Sequence, residues 1–275
     1  MGQIFRPHNR LLAPGQQPQY PVKINRRQLL GRHVKHAFIG GHGRLDYGTQ
    51  ELLTPNSDFA QHGPGYVHLE TSNPNFFTSP NVVKPVEQLT IIARFRAEAI
   101  TTNMGIFADK NVTNWSSENG VSFVIRSDGG LLGKVGTSEA TQTAITLVAN
   151  VWYTVAYVWK AGIGAWLYVD GLQPSSYVTQ AAAASMTAST EDLAVGAYYD
   201  RGTTRCFDGD LEFVFMLDQA LEDGDIQEFS SNPYQLFKPA VPMPVFFPTS
   251  ASALNNLRIS YMHFQRHYEP IAMGE

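Results

Sequence analysis

The sequence predicts an all-β protein, an antiparallel two-sheet sandwich, on three observations. Short apolar segments recur between Gly, Asn, Asp and Ser turns, with no convincing helical stretch between them. Residues 152–159 are a run of aromatic and β-branched side chains. They are followed by a Gly-containing turn at 160–164, a returning segment at 165–169 and an Asp170-Gly171 pair, which together read as hairpins. The composition agrees: 23 Gly and 16 Pro in 275 residues suit a turn-rich β protein. With 12% aromatic and 16% charged residues the chain is globular rather than disordered. It is long enough to bury a sizeable core, as one large β domain or two small ones.

Taken in order, residues 1–44 read as a basic, Pro-rich N-terminal arm. They hold Arg6, Arg10, Lys23, Arg26, Arg27, Arg32, Lys35 and Arg44 and no acid. The formal net charge of −4 therefore divides into a basic segment and an acidic remainder, the pattern of an electrostatic docking device. Pro7, Pro14, Pro18 and Pro21 favour an extended segment lying on another surface, with a short helix in 26–36. Gly40-Gly41-His42-Gly43 lacks the ending of a phosphate loop and reads as a hinge between arm and body.

Residues 45–248 form the sandwich domain, with its strands from Tyr66 onward. Leu89, Ile91, Ala93 and Phe95 define one strand face; Thr90, Ile92, Arg94 and Arg96 define the other. Further strands fall at 105–108, 121–126, 131–135, 152–159, 165–169, 193–197 and 207–217, with a short helical turn at 225–229 and a loop at 179–190. Trp152, Val155, Tyr157, Leu167, Val169, Leu211 and Phe213 are the expected core or its border. Residues 249–275 form a C-terminal tail whose Leu254, Leu257, Tyr261, Phe264 and Tyr268 suit a helical stripe, while Ile259, Tyr261 and His263 alternate as a strand does. No apolar run approaches the roughly 20 residues of a bilayer span. The first residues lack the apolar core of a signal peptide, and one cysteine, Cys206, fits a reducing compartment.

Trp152, Val155, Ala156, then Leu167, Tyr168, Val169, Asp170 and Gly171 match a W-h-x-V-A motif followed by L-Y-V-D-G. Phe207, Gly209, Leu211, Val214, Met216, Ala220, Leu221 and Ile226 match the later F-x-G-x-I-D-E-V pattern and its helix. These residues resemble the concanavalin A-like, laminin-G-like jelly roll over about residues 65–240. Asn232 to Pro239 resembles the end of such domains in tailed-bacteriophage proteins. The resemblance implies a jelly roll with extended terminal arms. It further implies a non-enzymatic virion structural protein, a capsid decoration or minor head or tail component, assembled in the bacterial host cytoplasm.

Each chemical motif has a functional and a bland reading. Asp208, Asp210 and Glu212 alternate along one strand. The β-glucanase branch of the family carries catalysis on E-x-D-x-E, with carboxylates roughly 5–5.5 Å apart. D-x-D-x-E departs at its first position, and no catalytic residue is expected. Asp109, Asp128, Asp170, Asp200 and Asp208 lie near strand ends, where calcium is a candidate ligand, though single aspartates there are usually turn formers. No other cofactor is expected. His33 with His36, and His263 with His267, have spacings that could share a metal, but further ligands are missing. All eight histidines lie in residues 8–68 or at 263 and 267, so residues 69–262 hold none and a histidine-based triad cannot be built within them. Asn111-Val112-Thr113 and Asn114-Trp115-Ser116 match glycosylation acceptors by chance in a chain without a secretory signal.

The alternative function is a carbohydrate-binding, lectin-like adhesion module, with Trp115, Tyr177, Tyr198 and Tyr199 as aromatic contacts to a host-surface glycan. A glycoside hydrolase is the third reading. The expected partners are other virion proteins (major capsid or tail protein) and further copies of the chain, docked through the basic arm. A membrane and nucleic acid are disfavoured.

Overall fold

The computed structural model of the protein describes residues 17–18, 21–56, 62–63, 65–71, 75–79, 87–109, 120–136, 138–142, 146–174, 177–179, 185–187, 189, 191–202 and 204–240. Two compact units divide the chain, residues 1–238 and 239–275. The expected tail, including His263 and His267, lies outside the described residues.

The described strands are, in order, β1 (Val22–Ile24), β2 (Val34–Ile39), β3 (Leu45–Asp46), β4 (Glu51–Leu52), β5 (Thr54–Pro55), β6 (His62–Gly63), β7 (Tyr66–Leu69), β8 (Phe77–Ser79), β9 (Gln88–Ala97) and β10 (Met104–Ala108). They continue as β11 (Val121–Ile125), β12 (Leu131–Val135), β13 (Ser138–Gln142), β14 (Trp152–Lys160), β15 (Gly164–Val169), β16 (Tyr177–Thr179), β17 (Leu193–Val195), β18 (Gly209–Leu217) and β19 (Phe237–Pro239). Helix α1 is Leu29–His33 and α2 is Asp223–Ser231. One sheet runs β16-β13-β12-β11-β10-β17-β8-β5. The second runs β15-β14-β9-β18-β2-β3-β4, with β7 also on β18 and β6 on β7; β1 and β19 form a separate pair. Every cross-strand register in the two large sheets is antiparallel, as the sequence predicts.

Alternation builds the core. Leu89, Ile91, Ala93, Phe95 and Ala97 of β9 point between the sheets, where they meet Val155, Tyr157 and Trp159 of β14 and Ile106, Phe123 and Val135 of the opposite sheet. Gly133 is required here, because a Cβ would lie 2.1 Å from the Tyr157 ring. Tyr157 in turn stacks on Phe123, with centroids 5.9 Å apart. The Asp170-Gly171 pair is a type I′ turn, with φ of 49° and 81° and backbone bonds in both directions between Val169 and Leu172. Cys206 is fully buried beside Phe76, Ala194 and Ala197, and burial pushes its thiol up to about 11.

Two expectations are corrected. The arm ends earlier than residue 44. Val34–Ile39 is an interior strand paired to β18 (Phe213↔Ile39, Phe215↔Ala37), and Val22, Ile24, Val34 and Ile39 are buried. His36 therefore lies in a sheet strand and His33 in the helix that leads into it. The physical reason is that β18 needs a partner on its other side, and the alternating Val34, Ala37 and Ile39 supply an apolar face that the basic residues around them conceal. Gly40 is not a hinge either: a Cβ there would lie 2.2 Å from the Leu211 carbonyl oxygen, so it is wedged against β18.

Candidate functional site

The outer face of the β9-containing sheet has two halves. The apolar half holds Ile92, Ala156, Val158, Phe213, Phe215 and Leu217, roofed by Ile226 and Phe229 of α2 together with Tyr234, Leu236 and Phe237. The α2 amphipathic face is placed by its start: the Glu222 N–H donates to Asp225 Oδ2 at 3.4 Å.

The other half is polar and arranged in rows across the strands. In one row Trp152 of β14 faces Arg96 of β9, Arg96 faces Asp210 of β18, and Asp210 faces His68 of β7. Arg96 Nε donates to Asp210 Oδ2 at 2.8 Å, reinforced by its Nη2, and His68 Nδ1 lies 2.8 Å from Asp210 Oδ1. In the next row Thr154 faces Arg94. Alternation puts Glu212 with Asp210 on the outer side, and a bulge between Leu211 and Phe213 turns Phe213 outward as well and sets Glu212 beside Arg94. There Arg94 Nε donates to Glu212 Oε2 at 2.9 Å and Nη1 to Thr154 at 3.2 Å. Tyr234 Oη donates to Glu212 Oε1 at 2.7 Å. Burial, with the Glu212 charge behind it, pushes the Tyr234 phenol up, so it remains a donor. Gln17 crosses this network and donates to the Gly65 carbonyl at 2.5 Å.

Above these ion pairs lie two aromatic rings. Trp152 and Tyr66 stand on strands three spacings apart, about 14 Å at the usual strand separation, yet their ring centroids are 6.1 Å apart. They therefore lean toward each other across β9 and β18. The Arg94 and Arg96 guanidiniums lie 5.3 and 5.6 Å from the Trp152 centroid. Gly63 makes room for Tyr66, since a Cβ there would sit 2.1 Å from its ring. Both rings are half-buried, whereas Asp210 and Glu212 keep only 2% exposure each. The result is an aromatic platform over a rigid ionic floor.

The residues singled out in the sequence fall as follows. Asp208, Asp210 and Glu212 do share the outer side. Asp210 and Glu212 do not face solvent, because each is buried against an arginine. Asp109 Oδ1 accepts the Val121 N–H and Asp128 Oδ1 the Gly130 N–H. Asp170 accepts from Thr154, Asp200 from Gly202 and Asp208 from Thr71. All five act as turn and strand-end clasps. Among the described residues, no group of three or more His, Cys, Asp or Glu side chains has a geometry that holds a metal ion. His33 and His36 take separate carboxylates, Asp218 at 2.9 Å and Asp46 at 2.6 Å.

Of the glycan candidates, Trp115 lies outside the described residues, as does the side chain of Tyr177. Tyr198 is only 6% exposed, and burial pushes its phenol up to about 12. It is packed under Arg205 and beside Tyr199, with centroids 5.1 and 4.8 Å away, so of the pair only Tyr199 reaches the surface. Of the docking candidates, Arg6 and Arg10 lie outside the described residues. Lys23, Arg27 and Arg32 are exposed. Arg26 binds the Gly31, Val34 and Gly48 carbonyls, and Lys35 pairs with Asp218 at 2.7 Å. The sequence reading missed the platform, although alternation had already put Arg94 and Arg96 on one face.

The family model described as the concanavalin A-like lectin/glucanases superfamily, Laminin_G_3, matches residues 70–227. The chain belongs to that family. No curated protein matches this laminin-G-like chain in sequence. Among solved structures it is similar to domain 4 of AbnA, a GH43 extracellular arabinanase from Geobacillus stearothermophilus in complex with arabinotriose. The TM-score is 0.54 at 11% identity, over 72% of this chain and 98% of that one. It is also similar to Trypanosoma rangeli sialidase, with a TM-score of 0.53 at 9% identity, over 74% of this chain and 34% of that one. A third likeness is the CBM40 of Ruminococcus gnavus IT-sialidase, with a TM-score of 0.43 at 17% identity, over 54% of this chain and 84% of that one. The first two likenesses establish the sandwich.

Proposed function

We propose that this chain is a non-catalytic, lectin-like carbohydrate-binding module, and that the Trp152–Tyr66 platform receives a sugar ring. The observation that carries the reading is the aromatic pair laid across β9 and β18 on fixed ion pairs. The apolar face of a pyranose stacks on an indole, and fixed polar groups around the ring meet its hydroxyls. Because the floor is already held by charge-assisted bonds, little ordering is needed on binding. Family membership agrees with this reading, and the arabinanase domain of similar fold was solved with arabinotriose bound.

The absence of hydrolysis is part of the proposal. A retaining or inverting glycosidase needs one carboxyl kept protonated as acid and another free as nucleophile or base. Here Asp210 and Glu212 are each held by an arginine beneath the rings. Calcium-independent binding is proposed with it, because the five candidate aspartates are engaged by backbone N–H groups. Carriage on a tailed-phage virion, docked there through the basic N-terminal residues, rests on the resemblance of Asn232 to Pro239 and on the charge division. The comparisons add nothing to it, and the carbohydrate reading stands ahead of it.

The test is a glycan array probed with the full chain and with Trp152→Ala. Binding to a defined set of glycans, lost in the variant while its thermal unfolding stays cooperative, supports the reading. Binding that survives Trp152→Ala removes the platform from it. Release of reducing sugar, abolished by Asp210→Asn or Glu212→Gln, would overturn the non-catalytic assignment.

A further inference from the structure

We infer that the segment leading into β1 is part of the binding site: Gln17 is a positioning residue that fixes Tyr66 opposite Trp152. The inference rests on the proposed carbohydrate-binding reading and deepens it.

One edge of β18 is shared by two strands laid end to end. β7 pairs with residues 209–211 and β2 with residues 213–217, so Glu212 falls at the seam between them. On the other edge the β9 register bulges at the same residue. Tyr66 lies just past the last β7–β18 pair, Leu211↔Val67. Its own cross-strand pair is Gly63 of β6, and the turn between them carries Gly65 at a φ of 93°.

Gln17 fills the seam. Its side chain is buried in a notch walled by two glycines. A Cβ on Gly41 would lie 2.5 Å from Gln17 Oε1, and one on Gly65 would lie 3.7 Å from its Cδ. From this notch Gln17 Nε2 donates to the Gly65 carbonyl at 2.5 Å and lies 3.5 Å from the Glu212 carbonyl. The Gly65 carbonyl and the Tyr66 Cα share one planar peptide unit. Holding that oxygen therefore fixes the point from which the Tyr66 ring projects, and ties it to the strand that carries the ionic floor. A ring fixed before the sugar arrives costs less ordering on binding.

The segment is itself clasped to the body. The Pro18 carbonyl accepts from His42 Nε2 at 3.0 Å, and the Tyr47 hydroxyl donates to His42 Nδ1 at 2.9 Å. Burial lowers the His42 pKa, which keeps the ring neutral with its proton on Nε2. Val22 and Ile24 of β1 then enter the apolar cluster beneath α2, and β1 pairs with β19.

The experiment compares wild type, Gln17→Glu, Tyr66→Leu and the Gln17→Glu/Tyr66→Leu double variant, each with a melting curve that confirms folding. Gln17→Glu keeps the length of the side chain and removes only its N–H donors. The probe is an array of neutral and acidic oligosaccharides read over a series of protein concentrations. Gln17→Glu is expected to bind the same members as wild type roughly tenfold more weakly, whereas in the Tyr66→Leu background the same change should alter residual binding by less than about twofold. A second readout needs no ligand. The Trp152 indole N–H resonance, assigned by its loss in Trp152→Phe, should move in Gln17→Glu toward its position in Tyr66→Leu, because the Tyr66 ring current reaches the indole at 6.1 Å. Equal losses of binding in the two backgrounds would overturn the inference, as would an indole resonance that stays in place in Gln17→Glu. Binding to no member by wild type would instead sink the carbohydrate reading, and the indole resonance would then decide the role of Gln17 by itself.

Discussion

The two halves of one sheet face solve the same problem differently. Toward α2, the outer face is phenylalanine and aliphatic, and a helix with its following turn covers it. Toward β7, the face is arginine and carboxylate, and two side chains of the sheet itself cover it. The first half excludes water with a helix, its following turn and β1; among the described residues the second does so with Trp152 and Tyr66, helped by Gln17 over the Glu212 end. A covered half can only be a core. A half roofed by its own half-exposed rings keeps a surface that another molecule can use, and it keeps that surface rigid because the charges beneath are paired. Tyr234 joins the halves, its ring in the apolar cluster and its hydroxyl on Glu212.

Substitutions should separate the halves by size of effect. Phe229→Ala removes a fully buried ring from the covered half and is expected to cost about 3–5 kcal/mol, read by denaturant unfolding, with the glycan specificity of the surviving folded fraction unchanged. Arg94→Ala leaves Glu212 buried without its cation and should cost about 3 kcal/mol. The double replacement Arg94→Met/Glu212→Leu should be less harmful than that single change, and a double variant worse than the single one would show that the ionic floor is itself the stabiliser. Trp152→Ala unroofs the ion pairs and is expected to cost only about 1–2 kcal/mol while removing glycan binding. Lys35→Ala breaks a partly exposed pair with Asp218 and should change stability by at most about 1 kcal/mol.

A pH prediction lies outside both halves. Burial alone would raise the Asp46 carboxyl. Hydrogen bonds from His36 and from the Ala37 and Gly48 N–H groups, with the His36 charge, outweigh burial and hold it below the usual range. Its contribution is therefore complete above the unfolded value near pH 4 and is lost as pH falls through the lower folded value. Thermal melts from pH 7 to pH 2 should show Asp46→Asn less stable at neutrality and with a shallower acid limb than wild type. Parallel acid limbs would remove Asp46 from that role.

The sandwich was legible because period-two alternation is local: β9 and β12 can be read from their own residues. The edges of the reading failed where pairing is long-range. Lys35 and His36 interrupt β2, and its partner β18 lies more than 170 residues away, so the segment read as arm. Trp152 was expected in the core or at its border; Val155, Tyr157 and Trp159 of its strand point between the sheets, and Trp152 stands half-buried on the outer face. The D-x-D-x-E pattern was visible, and so were Arg94 and Arg96. What joined them was the β9–β18 register and its bulge, which no local pattern states. Tyr198 was correctly placed at a strand end, but its burial depends on Arg205 and Tyr199 folding over it.

Cys206, enclosed beside Phe76 and held near a pKa of about 11, has a practical corollary. At neutral pH only about one molecule in ten thousand carries the reactive thiolate there, and that sulfur is out of reach of reagents. A cysteine introduced at an exposed position such as Leu172 would then be the single group to take a maleimide dye. The chain can be labelled at one chosen point, or tethered to a bead or sensor in one orientation, without first deleting its native thiol.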